Sequence, residues 1–110
     1  MRKLSVIVAQ RKYDQAADLC QRIQKLCEKL LDAGHIDALA NNNNLGHVLG
    51  AQGRHEAAEA VLLPTLELVQ KQFSKDHHFV QTCVQNLVSA LEKQGKVTEA
   101  EGLRKSFLVG

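Results

Sequence analysis

The sequence AQGRHEAAE at residues 51–59 recurs as KQGKVTEAE at residues 93–101, a shift of 42 residues without a gap. A third version of the turn region, QRKYDQAA at residues 10–17, stands a further 42 residues earlier and has Arg11 where the other two copies have glycine. Three copies at one period indicate a repeat protein, in which each copy is one supersecondary unit that stacks on the next.

Each copy is typical of two helices joined by a short turn. Apolar residues recur at helical intervals before Gly53 and again after His55, and Gly53 supplies the left-handed residue that ends the first helix. The pattern predicts a partial first helix at residues 2–10, helices near 12–32, 37–52, 55–73 and 79–94, and a C-terminal capping helix at 97–108. The capping helix is expected to carry one apolar stripe, formed by Val97, Ala100, Leu103 and Phe107.

Residues of the central unit resemble the tetratricopeptide consensus: Asn44, Leu45, Gly46, Leu49, Gly53, Ala58 and Leu62. The 42-residue period looks like the longer variant found in kinesin light chains. The resemblance covers residues 2–108. It implies one domain, 1–110, with an all-α fold: a right-handed helical solenoid of tetratricopeptide-type helix-turn-helix repeats, with about five to six antiparallel helices. Two departures from the pattern are Arg11 at the first turn and Pro64 inside a helix, where a local kink is expected.

Composition narrows the classes of function. The chain has 110 residues, of which 45% are hydrophobic and 24% charged, so it should fold and is unlike a disordered protein. The net charge is only +2, and no cluster of Lys and Arg exceeds two adjacent residues. These values disfavour a nucleic-acid partner, which would normally need a basic patch.

Cysteine usage and hydropathy favour a cytoplasmic protein. Cys20, Cys27 and Cys83 are odd in number and form no CxxC motif, which favours a reducing compartment. The apolar stretch at residues 4–9 is too short for a signal peptide, and no segment approaches the roughly 20 apolar residues of a membrane span. We therefore expect no membrane association.

Enzymatic and metal-binding alternatives are weak in this sequence. Five histidines are present, but no cysteine or carboxylate recurs beside His77 and His78 at the spacing of zinc ligands, so histidines near helix starts are the simpler interpretation. Cys83 and His47 are the only candidates for a nucleophile and its base, and nothing in the sequence supplies an oxyanion donor. We expect no enzyme, no metal and no cofactor.

Polar residues of the first helix in each unit are the candidate binding residues. Asparagine is a poor helix-interior residue, so the run at residues 41–44 requires compensation. Asn41 and Asn42 are attributed to the helix start, whereas Asn44 recurs in frame as Asn86 and favours a ligand. The resemblance implies that first helices line a concave groove. The candidate peptide-binding residues are Arg2, Asn43, Asn44, His47, Gln85, Asn86, Ser89 and Lys93.

Two functions from different classes remain open. The first is a scaffold that binds a peptide or protein segment, with some acidic character because Arg2 and Lys93 add positive charge to the groove. The second is an assembly element of a larger solenoid with no ligand of its own. In that case residues 2–10, an apolar edge that includes Ile7, would form a homo-oligomer or dock a preceding repeat.

Overall fold

The computed structural model describes the backbone of residues 2–32 and 34–108 and the side chains of residues 7–32 and 34–107. Five α-helices follow one another: α1 (Arg2–Leu30), α2 (Ile36–Ala51), α3 (His55–Gln72), α4 (His78–Lys93) and α5 (Val97–Leu103), with a π-helical segment at Arg104–Leu108. No strand occurs within these described ranges. The connections between helices are short, so consecutive helices run antiparallel, and the all-α repeat fold expected from the sequence is confirmed.

The repeated glycines end α2 and α4 in the same way. Gly53 and Gly95 both have φ of 82°. After each glycine, the next backbone N–H donates to a carbonyl five residues earlier: Arg54 to Leu49 at 2.8 Å and Lys96 to Leu91 at 2.9 Å. This is the Schellman arrangement, which favours glycine because a Cβ is strained at positive φ. The repeated turn therefore has one physical cause in both copies.

The predicted break between a helix at 2–10 and a helix at 12–32 is wrong. Both segments belong to the single 29-residue helix α1. The third copy of the turn has Arg11, which lacks the conformational freedom of glycine and is a good helix former. The helix therefore continues where the other two copies turn.

The C-terminal segment also differs from its prediction. The α-helix ends at Leu103, and residues Arg104–Leu108 form a π-helical turn. Ala100 is fully buried, and Leu103 and Phe107 pack against the core as expected, but Val97 is 55% exposed and is not part of the buried stripe. Val97 is the first residue of α5, and its side chain lies outside the surface with which α5 packs against α4.

The core lies where α2, α3 and α4 meet, because α3 packs on both of the other two helices. Leu62 of α3 is fully buried and lies directly over Gly46 of α2. Thr65 is also buried, and its hydroxyl donates to the Val61 carbonyl at 2.8 Å. Helix α3 continues through Pro64, whose side chain is exposed. This packing leaves the polar faces of α2 and α4 side by side.

Candidate functional site

The polar faces of α2 and α4 border a groove, here called the α2–α4 groove. Its cavity has a volume of about 240 Å³. The lining residues are Gly46, His47, Gly50, Ala51, His55, Asn86, Ser89, Ala90 and Lys93. Four residues predicted from the sequence, His47, Asn86, Ser89 and Lys93, are thus brought together. Small residues on α2, among them Gly50 and Ala51, leave the space open.

The other predicted residues are placed differently. Asn44 and Gln85 are exposed on α2 and α4 but do not line the cavity. Asn43 is buried, with 8% of its surface exposed, and is therefore not a free groove residue. The side chain of Arg2 lies outside the described residues. Four of the eight predicted residues therefore line one cavity, three do not, and the binding role of all eight stays a prediction.

Three of the four consecutive asparagines on α2 form hydrogen bonds with neighbouring helices. Successive residues on a helix point about 100° apart, so each amide has a different environment. Asn41 donates to the Cys20 carbonyl of α1 at 2.8 Å, and Asn42 accepts from Gln24 at 3.3 Å. The attribution of Asn41 and Asn42 to the helix start alone is therefore wrong. These amides offset their poor helix propensity by hydrogen bonding to α1.

Asn43 and Asn86 form a hydrogen bond across the groove floor. The Asn86 amide donates to the Asn43 side-chain oxygen at 2.9 Å. The sequence analysis paired Asn86 with Asn44, its in-frame equivalent, and predicted that both residues bind a ligand. Neighbouring residues on a helix point about 100° apart, so Asn43 and Asn44 lie on different sides of α2. Asn43 faces α4, whereas Asn44 is exposed. The pair supports the packing of α2 on α4, so these two amides are hydrogen-bonded to each other and are not both free for a ligand.

We expect Asn86→Ala to lower the free energy of unfolding by about 1 kcal/mol, because it removes this hydrogen bond and leaves the buried Asn43 oxygen unpaired. Asn44→Ala is the matched control: it exchanges an exposed asparagine for a better helix former and should be neutral or slightly stabilising. Urea unfolding followed by circular dichroism measures both. Equal effects of the two changes would contradict the structural role of Asn86.

Histidines cap two of the helices. The ring nitrogens Nδ1 of His35 and His77 accept the backbone N–H of Asp37 at 3.1 Å and of Phe79 at 3.0 Å. Side-chain acceptors at this position satisfy an N–H that the helix leaves unpaired. No group of three or more His, Cys, Asp or Glu that could hold a metal ion occurs among residues 7–32 and 34–107.

Cys83 lies in a poor environment for a nucleophile. It is fully buried, and its thiol donates to the Leu62 carbonyl at a sulfur–oxygen distance of 3.8 Å. Burial raises the pKa of the Cys83 thiol to about 12. The thiolate is the reactive form, so very little of it forms near neutral pH. His47, the candidate base, is exposed in the groove and not enclosed with Cys83.

A second cavity, here called the turn cavity, lies beside the two Schellman turns and was missed by the sequence prediction. It is open and has a volume of about 620 Å³. The lining residues are Gly53, Arg54, His55, Glu56, Ala57, Lys93, Gln94 and Lys96. It shares His55 and Lys93 with the α2–α4 groove. The recurrence of a cation after each turn glycine, Arg54 and Lys96, was the available sequence signal.

One ion pair orders the edge of the turn cavity. The Lys96 ammonium lies 2.9 Å from the Glu59 carboxylate, which also accepts from Gln94 at 2.9 Å. The hydrogen bond from Lys96 has the largest effect in lowering the pKa of Glu59, followed by the hydrogen bond from Gln94. The hydrogen bond to Glu59 raises the pKa of Lys96. The small stabilisation from Glu59 is present above its ordinary pKa and is lost as pH falls through the lowered value.

His55 stands between the two cavities with an unused polar atom. Its Nδ1 is buried, and no hydrogen-bond partner for it is found among the described side chains and backbone. Buried polar atoms in proteins are nearly always paired, and a ligand in either cavity could reach this nitrogen only if the imidazole ring moved. The two cavities together present cations, an imidazole and amides.

Within the described ranges, no helix is both long enough and apolar enough to cross a membrane. A family model described as tetratricopeptide repeat matches residues 5–63 and residues 37–104. The first of these matches alone covers more than half of the chain. No curated protein sequence matches the chain.

Proposed function

Because the chain belongs to the tetratricopeptide-repeat family, we propose that it is a non-enzymatic scaffold that binds a peptide segment of a partner protein. Repeats of this family generally mediate protein–protein interaction. The observation that carries the proposal is the cavity between α2 and α4, which collects the predicted residues His47, Asn86, Ser89 and Lys93. The 42-residue kinesin-light-chain-like subtype and a cytoplasmic location stay predictions.

The groove and the turn cavity suit an extended peptide with acidic side chains. Arg54 and Lys93 line these cavities and are exposed, and among the described side chains neither has a carboxylate within 4 Å. They are available to carboxylates of a ligand, whereas Lys96 is already paired with Glu59. Charge complementarity of this kind steers association and selects partners more than it adds affinity.

We expect Lys93→Glu to weaken binding of acidic peptides by roughly two- to five-fold, because exposed ion pairs contribute about 0.5 to 1 kcal/mol. Lys71→Glu is the matched control, since it makes the same charge change on an exposed residue that lines neither cavity. A peptide array of graded charge, followed by fluorescence anisotropy on the captured sequences, measures the effect. Equal weakening by both variants would show that only net charge matters and would contradict the groove.

A second candidate function is assembly through the first helix. It is favoured by Ile7 and Val8, which are 46% and 49% exposed. Residues 2–6 of the predicted apolar edge have side chains outside the described residues.

If assembly occurs, the sedimentation coefficient should rise with concentration, and Ile7→Asp should keep the chain monomeric because a charge cannot be buried without a partner. Leu63→Asp, at a residue that is 45% exposed on α3, is the matched control and should not alter association. A monomer at all concentrations, with no effect of Ile7→Asp, would remove this candidate.

A further inference from the structure

Helix α1 has an apolar stripe that no described element covers. Leu19, Leu26 and Leu30 are 55%, 56% and 76% exposed, and Ile23 between them is half-buried. Their spacing of four, three and four residues places them on one line of the helix, about 16 Å long at 1.5 Å per residue. We call Leu19, Ile23, Leu26 and Leu30 the free stripe.

The free stripe is separate from the face of α1 that contacts α2. That face contains Ala17, Cys20, Gln24 and Cys27, which are buried or half-buried. At 100° per residue, it is centred roughly 110° around the helix from the free stripe. Helix α1 packs against α2 alone among the described elements. The free stripe therefore has no role in the packing already described.

The internal repeat indicates what kind of element fits the free stripe. The 42-residue shift aligns Leu19, Ile23 and Leu26 with Val61, Thr65 and Leu68 of α3. Those residues are covered: Thr65 is 1% exposed, and Val61 and Leu68 pack against the core. They are covered because α3 packs against two helices, α2 and α4. By the same geometry, Leu19, Ile23 and Leu26 fit one further helix, whereas Leu30 aligns with Gln72, which is exposed at the end of α3.

Charge beside the free stripe indicates the chemistry of that helix. On the side away from α2 lie Arg22, Lys25 and Lys29, with Asp18 as the acid among them. Asp18 is 3.6 Å from Arg22 in an exposed ion pair, and among the described side chains Lys25 and Lys29 have no carboxylate within 4 Å. The basic flank favours a partner with acidic residues beside its own apolar stripe.

A second copy and a lipid surface fit less well. In an antiparallel pair with a second α1, the basic flank of one chain would lie against that of the other, and like charges across a helix pair are unfavourable. A lipid surface normally requires a wider apolar face with aromatic residues, whereas the free stripe covers an arc of about 60° and contains none. We propose that the free stripe of α1 binds an amphipathic helix of a partner protein whose apolar seam is flanked by acidic residues.

The test uses two synthetic amphipathic peptides of 21 residues with leucine at the a and d positions of each heptad. One has glutamate at the flanking e and g positions, and the other has lysine. Fluorescence anisotropy with the intact chain is expected to show at least about ten-fold tighter binding of the glutamate peptide at low salt. That preference should shrink at high salt, since salt screens exposed charges.

Variants locate the binding surface. The double change Leu26→Gln and Leu30→Gln should weaken glutamate-peptide binding by about ten-fold or more, because only two of the four residues of the free stripe then offer apolar surface to the peptide. Leu63→Gln, at the exposed leucine of α3, is the matched control and should leave binding unchanged. Lys25→Glu with Lys29→Glu should reverse the preference between the two peptides. Circular dichroism checks that each variant keeps its helical content.

Four outcomes would overturn the proposal. Equal binding of the two peptides would remove the electrostatic argument, and equal effects of Leu63→Gln and the double leucine change would place the surface elsewhere. Self-association that the double leucine change abolishes would make a second copy the occupant. Binding to vesicles of anionic lipid, with neither peptide bound, would make it a lipid surface. The groove is itself proposed to bind acidic peptides, so the variants of α1, none of which lies in the groove, and not the glutamate preference alone, distinguish the two surfaces.

Discussion

Leu62→Ala is expected to lower the free energy of unfolding by about 2 to 5 kcal/mol. Leu62 has no exposed surface and lies between α2 and α4: its side chain covers Gly46, and its carbonyl accepts the Cys83 thiol. Truncation removes apolar contacts with both neighbouring helices and leaves a cavity that fixed helices cannot close. Urea unfolding followed by circular dichroism gives the difference.

The next residue along α3 is the control for this change. Leu63 is 45% exposed, so Leu63→Ala removes the same atoms from a site that buries few of them and should cost within about 0.5 kcal/mol. If the two substitutions destabilise the chain equally, the face that α3 turns to the core has been assigned wrongly.

Gly46→Ala is expected to lower the free energy of unfolding by about 1 to 3 kcal/mol, although alanine is the better helix former. A Cβ at this position would lie 2.8 Å from one Leu62 methyl carbon and closer still to two other atoms of that side chain. Leu62 is fully buried, so its side chain cannot swing into solvent to relieve the clash. The clash therefore outweighs the gain in helix propensity, which is about 1 kcal/mol.

Gly50 gives a matched control one turn along the same helix. A Cβ there meets nothing within 4 Å, so Gly50→Ala should raise stability by about 0.5 to 1 kcal/mol. In the Leu62→Ala background, Gly46→Ala should cost little, because the atoms it contacts have been removed. If Gly46→Ala retains its full cost in that background, the contact with Leu62 is not its cause.

The contact between Gly46 and Leu62 also affects the groove, because it sets the distance between α2 and α3. Helix α3 approaches α2 closely at Gly46, which also lines the groove together with His47, Gly50 and Ala51 of the same helix. A change at Gly46 that separates the helices should therefore alter the groove as well as stability. Binding measurements on Gly46 variants need to be compared at equal fractions of folded protein.

Local properties of the sequence determined most of the fold. Gly53 and Gly95 could be assigned to left-handed turns because glycine adopts positive φ more readily than any other residue, and both have φ of 82°. The helices between them follow from the spacing of apolar residues, which is a property of each segment alone. Arg11, at the position of the two turn glycines, is compatible with a continuous helix α1. The 42-residue repeat nevertheless predicted a break at this position.

Only the tertiary structure decided which polar groups meet. The 42-residue period pairs Asn44 with Asn86, but the hydrogen bond joins Asn86 to Asn43, because the crossing of α2 and α4 and not the period sets which side chains face each other. The turn cavity likewise forms where two Schellman turns come side by side, and no single segment contains it. Periodicity fixes the face on which a residue lies, while the contacts of that face depend on how neighbouring helices pack.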